Sequence, residues 1–388
     1  MITLLSQPQD FMPVNNPIVW TWESDEVTQP NFKYVVDLFI NGSLHSTHDV
    51  FIGEFDAKEA LEAVVKSALT FNGTVTEVFT DSIVKYRIRI KEFYSGSIQD
   101  DVWTDLKVGI NGALRPPEWK DYTPELYVLQ NDGLAVQRQF LTRFPSNQKR
   151  FIGINETAHL GVNIRKAINE IVFVTVWLYG ADGSLIVSSP LNLTSFESIL
   201  INVSPKVIIA NSTITLANFE SAAYYEVRAT LFSVAFPFIL TPVGRTEDLR
   251  FYIDRDCERY PWIRLHWLNK LGGFDEFSFK LDTVHESDVT IFDKGYVHYT
   301  KSAIDRLILN SDWINETTQN WLVRELLESP LVYLEQLKVA EDIDCSCVRI
   351  VAVEGGNTVY YRPILQEDGS YLFGGFQLAC DGGEWVVS

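Results

Sequence analysis

The chain has 388 residues, is 46% hydrophobic, 21% charged and 13% aromatic, and carries a net charge of −19. That length suits several domains, and the composition is that of a folded chain, not a disordered one. The acidic balance argues against binding a phosphate backbone, which needs a basic stripe, and against adsorption to an anionic membrane.

The opening MITLLSQPQDFMP lacks a basic n-region and a long apolar run, so no signal peptide is expected. No run of about 18 apolar residues follows, so no membrane-spanning helix is expected. Residues 1–95 read as an N-terminal β-sandwich with one inserted helix. Pro17–Trp22 alternates faces, and Phe32–Ile40 runs into Asn41-Gly42, a strong hairpin signal. Val84, Tyr86, Ile88 and Ile90 share one face of a further strand. Between them, Leu61, Val64, Val65 and Leu69 form a helical stripe over Asp56–Leu69, with Asp56 as N-cap. Arg87, Arg89 and Lys91 form a local basic patch.

Residues 96–125 read as a polar linker stiffened by Pro116-Pro117. Residues 126–250 read as a second β-sandwich. Ile171–Tyr179 is a buried strand, and Asp182-Gly183 turns it into Leu185–Val187. Lys206–Ile209 and Tyr224–Leu231 continue the strand rhythm.

Residues 251–388 read as an aromatic-rich β segment followed by a small α+β unit. Tyr252, Tyr260, Trp262, Trp267, Phe274, Phe277 and Phe279 surround a Leu-Asn-Lys-Leu-Gly-Gly turn. Asn315–Leu327 has helical spacing, stopped by Ser329-Pro330. The fold class is therefore mainly β: multi-domain β-sandwiches with a small C-terminal α+β unit.

Motifs that carry chemistry are absent. There is no Gly-x-Ser-x-Gly elbow, His-Glu-x-x-His helix, phosphate loop or dinucleotide fingerprint. Cys257, Cys345, Cys347 and Cys380 match no zinc spacing, and free thiols are expected. His45 and His48 fall in a probable loop, beside Asp49. Asp254 with Asp256, and Asp342 with Asp344, read as solvated strand ends, not as a calcium or acid–base site. The chain is expected to be no enzyme and to hold no cofactor or metal. The residues singled out as a candidate interface are Trp119, Trp262, Trp267, Phe274 and Trp313, because large aromatics dominate binding surfaces.

The chain resembles virion structural proteins of tailed phages that infect Bacteroidetes, including crAss-like phages. The likeness lies in PVNNPIVWTW (13–22) running into Phe32-Lys-Tyr-Val-Val-Asp-Leu, and in Phe140-Leu-Thr-Arg-Phe-Pro145. It continues in Cys257-Glu-Arg-Tyr260 with Trp267-Leu-Asn-Lys-Leu-Gly-Gly-Phe-Asp275, and in Leu326-Leu-Glu-Ser-Pro330 before Val332-Tyr333. The resemblance implies a tail or head–tail connection protein, made in the bacterial host cytoplasm and residing in the virion. Its partners would be copies of itself and neighbouring virion proteins, with no membrane and no sequence-specific nucleic acid. The rival reading is a carbohydrate-binding, adhesin-like β-sandwich protein.

Overall fold

The computed structural model describes residues 1–388 except positions 68, 70–73, 79–81, 193–197, 236–238, 256–261, 295–296, 312–313, 337–348, 353–357, 366–370 and 382–388. It is mainly β, as the alternation predicts, with five sheets among the described residues.

The first sandwich opens with β1 (Ile2–Ser6), β2 (Phe11–Pro13), β3 (Val19–Ser24), β4 (Lys33–Ile40), β5 (Ser43–Val50) and β6 (Glu54–Asp56). The helix α1 (Lys58–Glu62) follows, then β7 (Thr76–Val78), β8 (Ile83–Tyr94), β9 (Ser97–Trp103), β10 (Lys107–Ile110) and α2 (Pro116–Lys120). A three-stranded sheet, β1-β3-β6, faces a six-stranded one ordered β2-β10-β8-β4-β5, with β9 also on β8. Period-two alternation fills the space between them. Tyr34, Val36 and Leu38 of β4 and Val84, Tyr86, Ile88 and Ile90 of β8 meet Trp20 and Trp22 of β3. Trp20 packs edge-on to Tyr86 at 5.8 Å, and Trp22 to Tyr34 at 5.4 Å, the geometry favoured by ring quadrupoles. Asn41 and Gly42 both take positive φ (50° and 85°), as a two-residue hairpin turn requires.

The helix expected over Asp56–Leu69 is shorter than its stripe. Only Lys58–Glu62 is helical, with Ala57 in the N-cap position. Asp56 instead accepts from the backbone N–H groups of Ile18 and Lys58, both at 2.9 Å. So short a helix persists through docking, and Leu61 is completely buried.

The boundary placed at residue 95 falls inside this sheet. β9 and β10 both pair antiparallel with β8, so about a third of the supposed linker is ladder. Pro116-Pro117 begins α2 and does not stiffen a link; proline fits a first helical turn, where no N–H partner is needed. Earlier in the chain, β7 leaves the strands that flank it and pairs with the second sandwich.

That second sandwich contains β11 (Val128–Leu129), β12 (Gln137–Arg138), β13 (Arg150–Gly153), β14 (His159–Ile164), β15 (Glu170–Tyr179), β16 (Leu185–Asn192) and β17 (Ser198–Asn202). After them come α3 (Pro205–Asn211), α4 (Leu216–Ser221), β18 (Tyr224–Ala235), β19 (Ile239–Thr246) and β20 (Leu249–Asp254). The sheet β11-β14-β17-β7 faces a seven-stranded sheet built on β12-β19-β18-β15-β16. Val172, Val174, Val176 and Leu178 of β15 and Tyr225, Val227, Ala229 and Leu231 of β18 share their core. The Tyr225 hydroxyl donates to the Val203 carbonyl at 2.8 Å, which satisfies a polar atom inside that core. Lys206–Ile209, expected as a strand, lies in α3. Its β-branched run misled the reading; Ser204-Pro205 starts a helix that buries Val207 and Ile208.

The third body is β21 (Trp262–Leu268), β22 (Phe274–Lys294), β23 (Val297–Asn310), α5 (Glu316–Glu325), β24 (Val332–Gln336), β25 (Arg349–Ala352), β26 (Thr358–Leu365) and β27 (Tyr371–Asp381). The strands form one sheet, ordered β25-β24-β21-β22-β23-β27-β26. α5 lays Trp321 and Leu322 on Ile263, Leu265, Trp267 and Phe279. Asn315 caps it, accepting from the Thr318 N–H at 2.9 Å.

Candidate functional site: a buried junction and two aromatic surfaces

The turn Asn269–Gly273 joins β21 to β22 and is built by one side chain. Asn269 Oδ1 accepts from the N–H groups of Leu271 (3.0 Å) and Gly273 (3.2 Å). Its amide nitrogen donates to the Leu141 carbonyl at 2.9 Å and to Asp275 at 3.1 Å. Gly272 takes φ +81°, and a Cβ on Gly273 would lie 1.9 Å from the Leu141 carbonyl oxygen. On the other side the Ala113 N–H donates to the Lys270 carbonyl at 3.0 Å. This turn therefore touches the segment that follows β10 as well as the second sandwich.

Ion pairs surround it. Arg143 pairs with Glu118 and with Glu325 (3.4 Å), and Lys270 with Glu325 (3.8 Å) and Glu328 (2.9 Å). Burial raises the Glu325 carboxyl, against the pull of Arg143 and Lys270. Asp275, wholly buried, accepts from Thr142, from the Arg143 N–H and from Asn269. Burial raises its pKa, and Arg150 with these donors opposes the rise.

Beside the turn, the polar face of β21 is pressed against the second sandwich. Arg264 Nε donates to the Thr157 carbonyl at 2.7 Å. Its Nη1 donates to Glu156 at 3.0 Å and to Ser278 at 2.6 Å. His266 Nε2 lies 2.8 Å from Glu335, which also accepts from Thr157. Burial alone would raise Glu335, but the His266 contact, Thr157 and Arg264 hold it below the usual carboxylate range. The Glu276 carboxylate lies between Arg264 (3.6 Å) and Arg150 (3.8 Å), and burial raises its pKa. His159 faces His266 with ring centroids 5.9 Å apart. Burial, then His266 and Arg264, holds His159 well below the usual histidine range. Every charge here has an opposite neighbour, as buried charges require.

The junction decides the fate of two expected interface residues. Trp267 and Phe274 are both completely buried. Trp267 packs on Trp321 at 5.0 Å and Phe274 on Tyr333 at 6.0 Å, so neither offers a surface to a partner. Alternation along β21 points Trp267 to α5 and sends His266 to the seam. The described aromatics Trp267 and Phe274 thus belong to an internal hub, not to an assembly face. Trp262 begins β21, and its side chain lies outside the described residues, as does Trp313 altogether.

Trp119, the fifth candidate, is half-buried on α2. It stacks on Tyr122 (6.1 Å, 10° between planes), and Tyr122 stacks on Tyr127 (5.9 Å, 16°). Trp119 and Tyr122 line a cleft of about 310 Å³ with Gln7, Gln9, Met12 and Pro17.

A second aromatic surface escaped the sequence reading because it lies on β9, inside the supposed linker. Trp103 is 42% exposed. Phe39 lies 4.9 Å from its ring, and the Arg87 guanidinium sits 4.3 Å over it. The visible signal was the alternation of Val102, directed inward, with Trp103.

His45 and His48 lie on β5, not in a loop, and His48 contacts Ser46 at 2.8 Å. Asp254 ends β20, whereas Asp256, Asp342, Asp344, Cys257, Cys345 and Cys347 lie outside the described residues. Cys380 pairs by register with Asp305 on the β27–β23 ladder. Among the described residues no three His, Cys, Asp or Glu side chains converge as a metal site, and no helix is long and apolar enough to cross a membrane. Compared with known proteins, the chain matches no protein-family model and no curated protein.

Proposed function

We propose that this chain is a structural component of a tailed-bacteriophage virion, of the tail or the head–tail connection. It works by assembling with copies of itself and with neighbouring particle proteins. The observation that carries this reading is the ribbon formed by β22 and β23. Among the described residues, β21 pairs with β22 only over Phe274–Lys280, and β27 pairs with β23 only over Ile304–Leu309. From Val289↔Ala303 to Lys294↔Val297 the two strands, among the described residues, pair only with each other. At about 3.3 Å per residue this arm extends roughly 20 Å past the described parts of the strands beside it. A lone two-stranded ribbon is marginally stable in water and leaves both edges open to strand addition. Such an arm is stabilised by a partner surface, while the ion-paired junction behind it gives a stiff mount.

Light scattering and negative-stain imaging of the full chain test this. A ring or tube is expected, and replacing residues 289–303 by Asn-Gly is expected to abolish it while leaving the body folded. A full chain that stays monomeric at high concentration and does not incorporate into particles with its neighbours would overturn the reading.

One feature favours carbohydrate binding as a second reading. The Trp119–Tyr122 stack beside Gln7 and Gln9 combines aromatic faces with amide hydrogen-bonding groups, a mixture suited to a sugar ring. Glycan-array binding lost in Trp119→Ala would support it.

A further inference from the structure

The outer face of the first sandwich carries a cluster that the junction does not explain. Register places Leu44 of β5 beside Phe39 of β4, and Phe39 beside Arg87 of β8. Arg89, two residues on along β8, pairs with Trp103 of β9. Side chains on this face therefore run across four strands as Leu44, Phe39, Arg87 and Trp103. Leu44 is 56% exposed and Trp103 42%.

The cations here differ from one another. Arg89 is paired with Asp101 at 2.5 Å, Lys33 with Asp49 at 2.6 Å, and Lys91 with Asp37. Among the described residues no carboxylate pairs with Arg87. Its guanidinium lies over aromatic rings instead, 4.3 Å from the Trp103 ring centre and 6.0 Å from that of Phe39. Stacking fixes the fork without using its hydrogen-bonding edge, so less side-chain entropy is lost when a carboxylate arrives. Arginine and tryptophan on an apolar background are the residues that dominate binding energy when desolvated.

We propose that this face, centred on Arg87 and Trp103, docks the acidic surface of a second copy of this chain. The argument for that occupant is charge. A chain of net charge −19 presents carboxylates over much of its surface, while this face offers an arginine with its donors open. A basic, aromatic face meeting an acidic face elsewhere on the next copy is a head-to-tail contact, which closes into a ring or continues as a tube. The inference rests on the assembly reading above and names the surface that serves it.

The test is sedimentation of the full chain at 0.15 M salt over a wide concentration range, with Arg87→Glu and Trp103→Ala. Both side chains lie on the surface, so the thermal midpoints are expected to stay near that of the parent. The concentration at half-association is expected to rise at least tenfold in each. Parent-like association in both variants would overturn this face as the contact, while leaving assembly through other surfaces intact. A parent chain that is monomeric throughout would overturn it as well, and failure to incorporate into particles would then remove the wider reading too. Trp103-dependent retention on a glycan array by a monomeric chain would reassign the face to sugar. Should Trp103→Ala misfold, Arg87→Glu decides alone, since it keeps the tryptophan.

Discussion

Two regions of this molecule use the same residue types to opposite ends. At the junction, Arg264 and Trp267 lie three residues apart on β21 and are both buried, the arginine among carboxylates and the tryptophan in an apolar core. On the first sandwich, Arg87 and Trp103 share an outer face and touch each other at the surface. Residue type therefore does not separate an internal brace from an interface. What separates them is whether the strand's other face, and the neighbouring body, cover the side chain.

The comparison predicts unequal responses to substitution. The largest effect is expected for Arg264→Leu, which leaves buried Glu156 without its cation and Glu276 with Arg150 alone; about 3–5 kcal/mol of stability should be lost. Denaturant melts read it, and a loss below 1 kcal/mol would show that the seam is open to water. Gly273→Ala should come close behind, because its Cβ would overlap the Leu141 carbonyl. Next is Asn269→Ala, which leaves the Leu271 and Gly273 N–H groups without their acceptor, at about 1–3 kcal/mol. Arg87→Glu should move stability by no more than about 0.5 kcal/mol, as for an ordinary surface site.

Acidification separates the regions in another way. The folded chain holds His159 below the usual histidine range, so the unfolded chain takes up that proton first. Its contribution is present above about pH 6.5 and is lost as pH falls below that value. Glu335, also lowered, adds a second loss below about pH 4.3. Asp275 and Glu276 are raised, so their protonation on acidification favours the folded state and opposes both losses. Thermal melts of His159→Leu should therefore fall less than the parent's between pH 6.5 and 5, whereas Arg87→Glu should track the parent. Identical slopes for His159→Leu and the parent would refute the role assigned to His159.

Local chemistry was legible wherever one element sufficed. Asn41-Gly42, the alternation from Val84 to Ile90 and the helical spacing from Asn315 to Leu327 each declare themselves within a few residues. The rest depended on distant partners. Nothing near Thr76–Val78 says that those residues belong to a sheet built around β17. Nothing within Val207–Ile209 outweighs its strand-like composition except the preceding proline. Trp267 reads as an interface aromatic until the helix that covers it is in place. Trp103 was hidden by two prolines downstream, which marked its whole segment as a linker.

The position of β7 has a consequence for synthesis. Its partner β17 emerges from the ribosome roughly 120 residues later, which at 5–20 residues per second is roughly 6–24 s. Through that interval Thr76–Val78 has no ladder to join, although the strands that flank it already belong to the first sandwich. Folding of the two sandwiches is thus tied in time by a three-residue thread. A chain stalled before residue 198 would hold the first sandwich with that thread loose, a ready target for a chaperone or a protease.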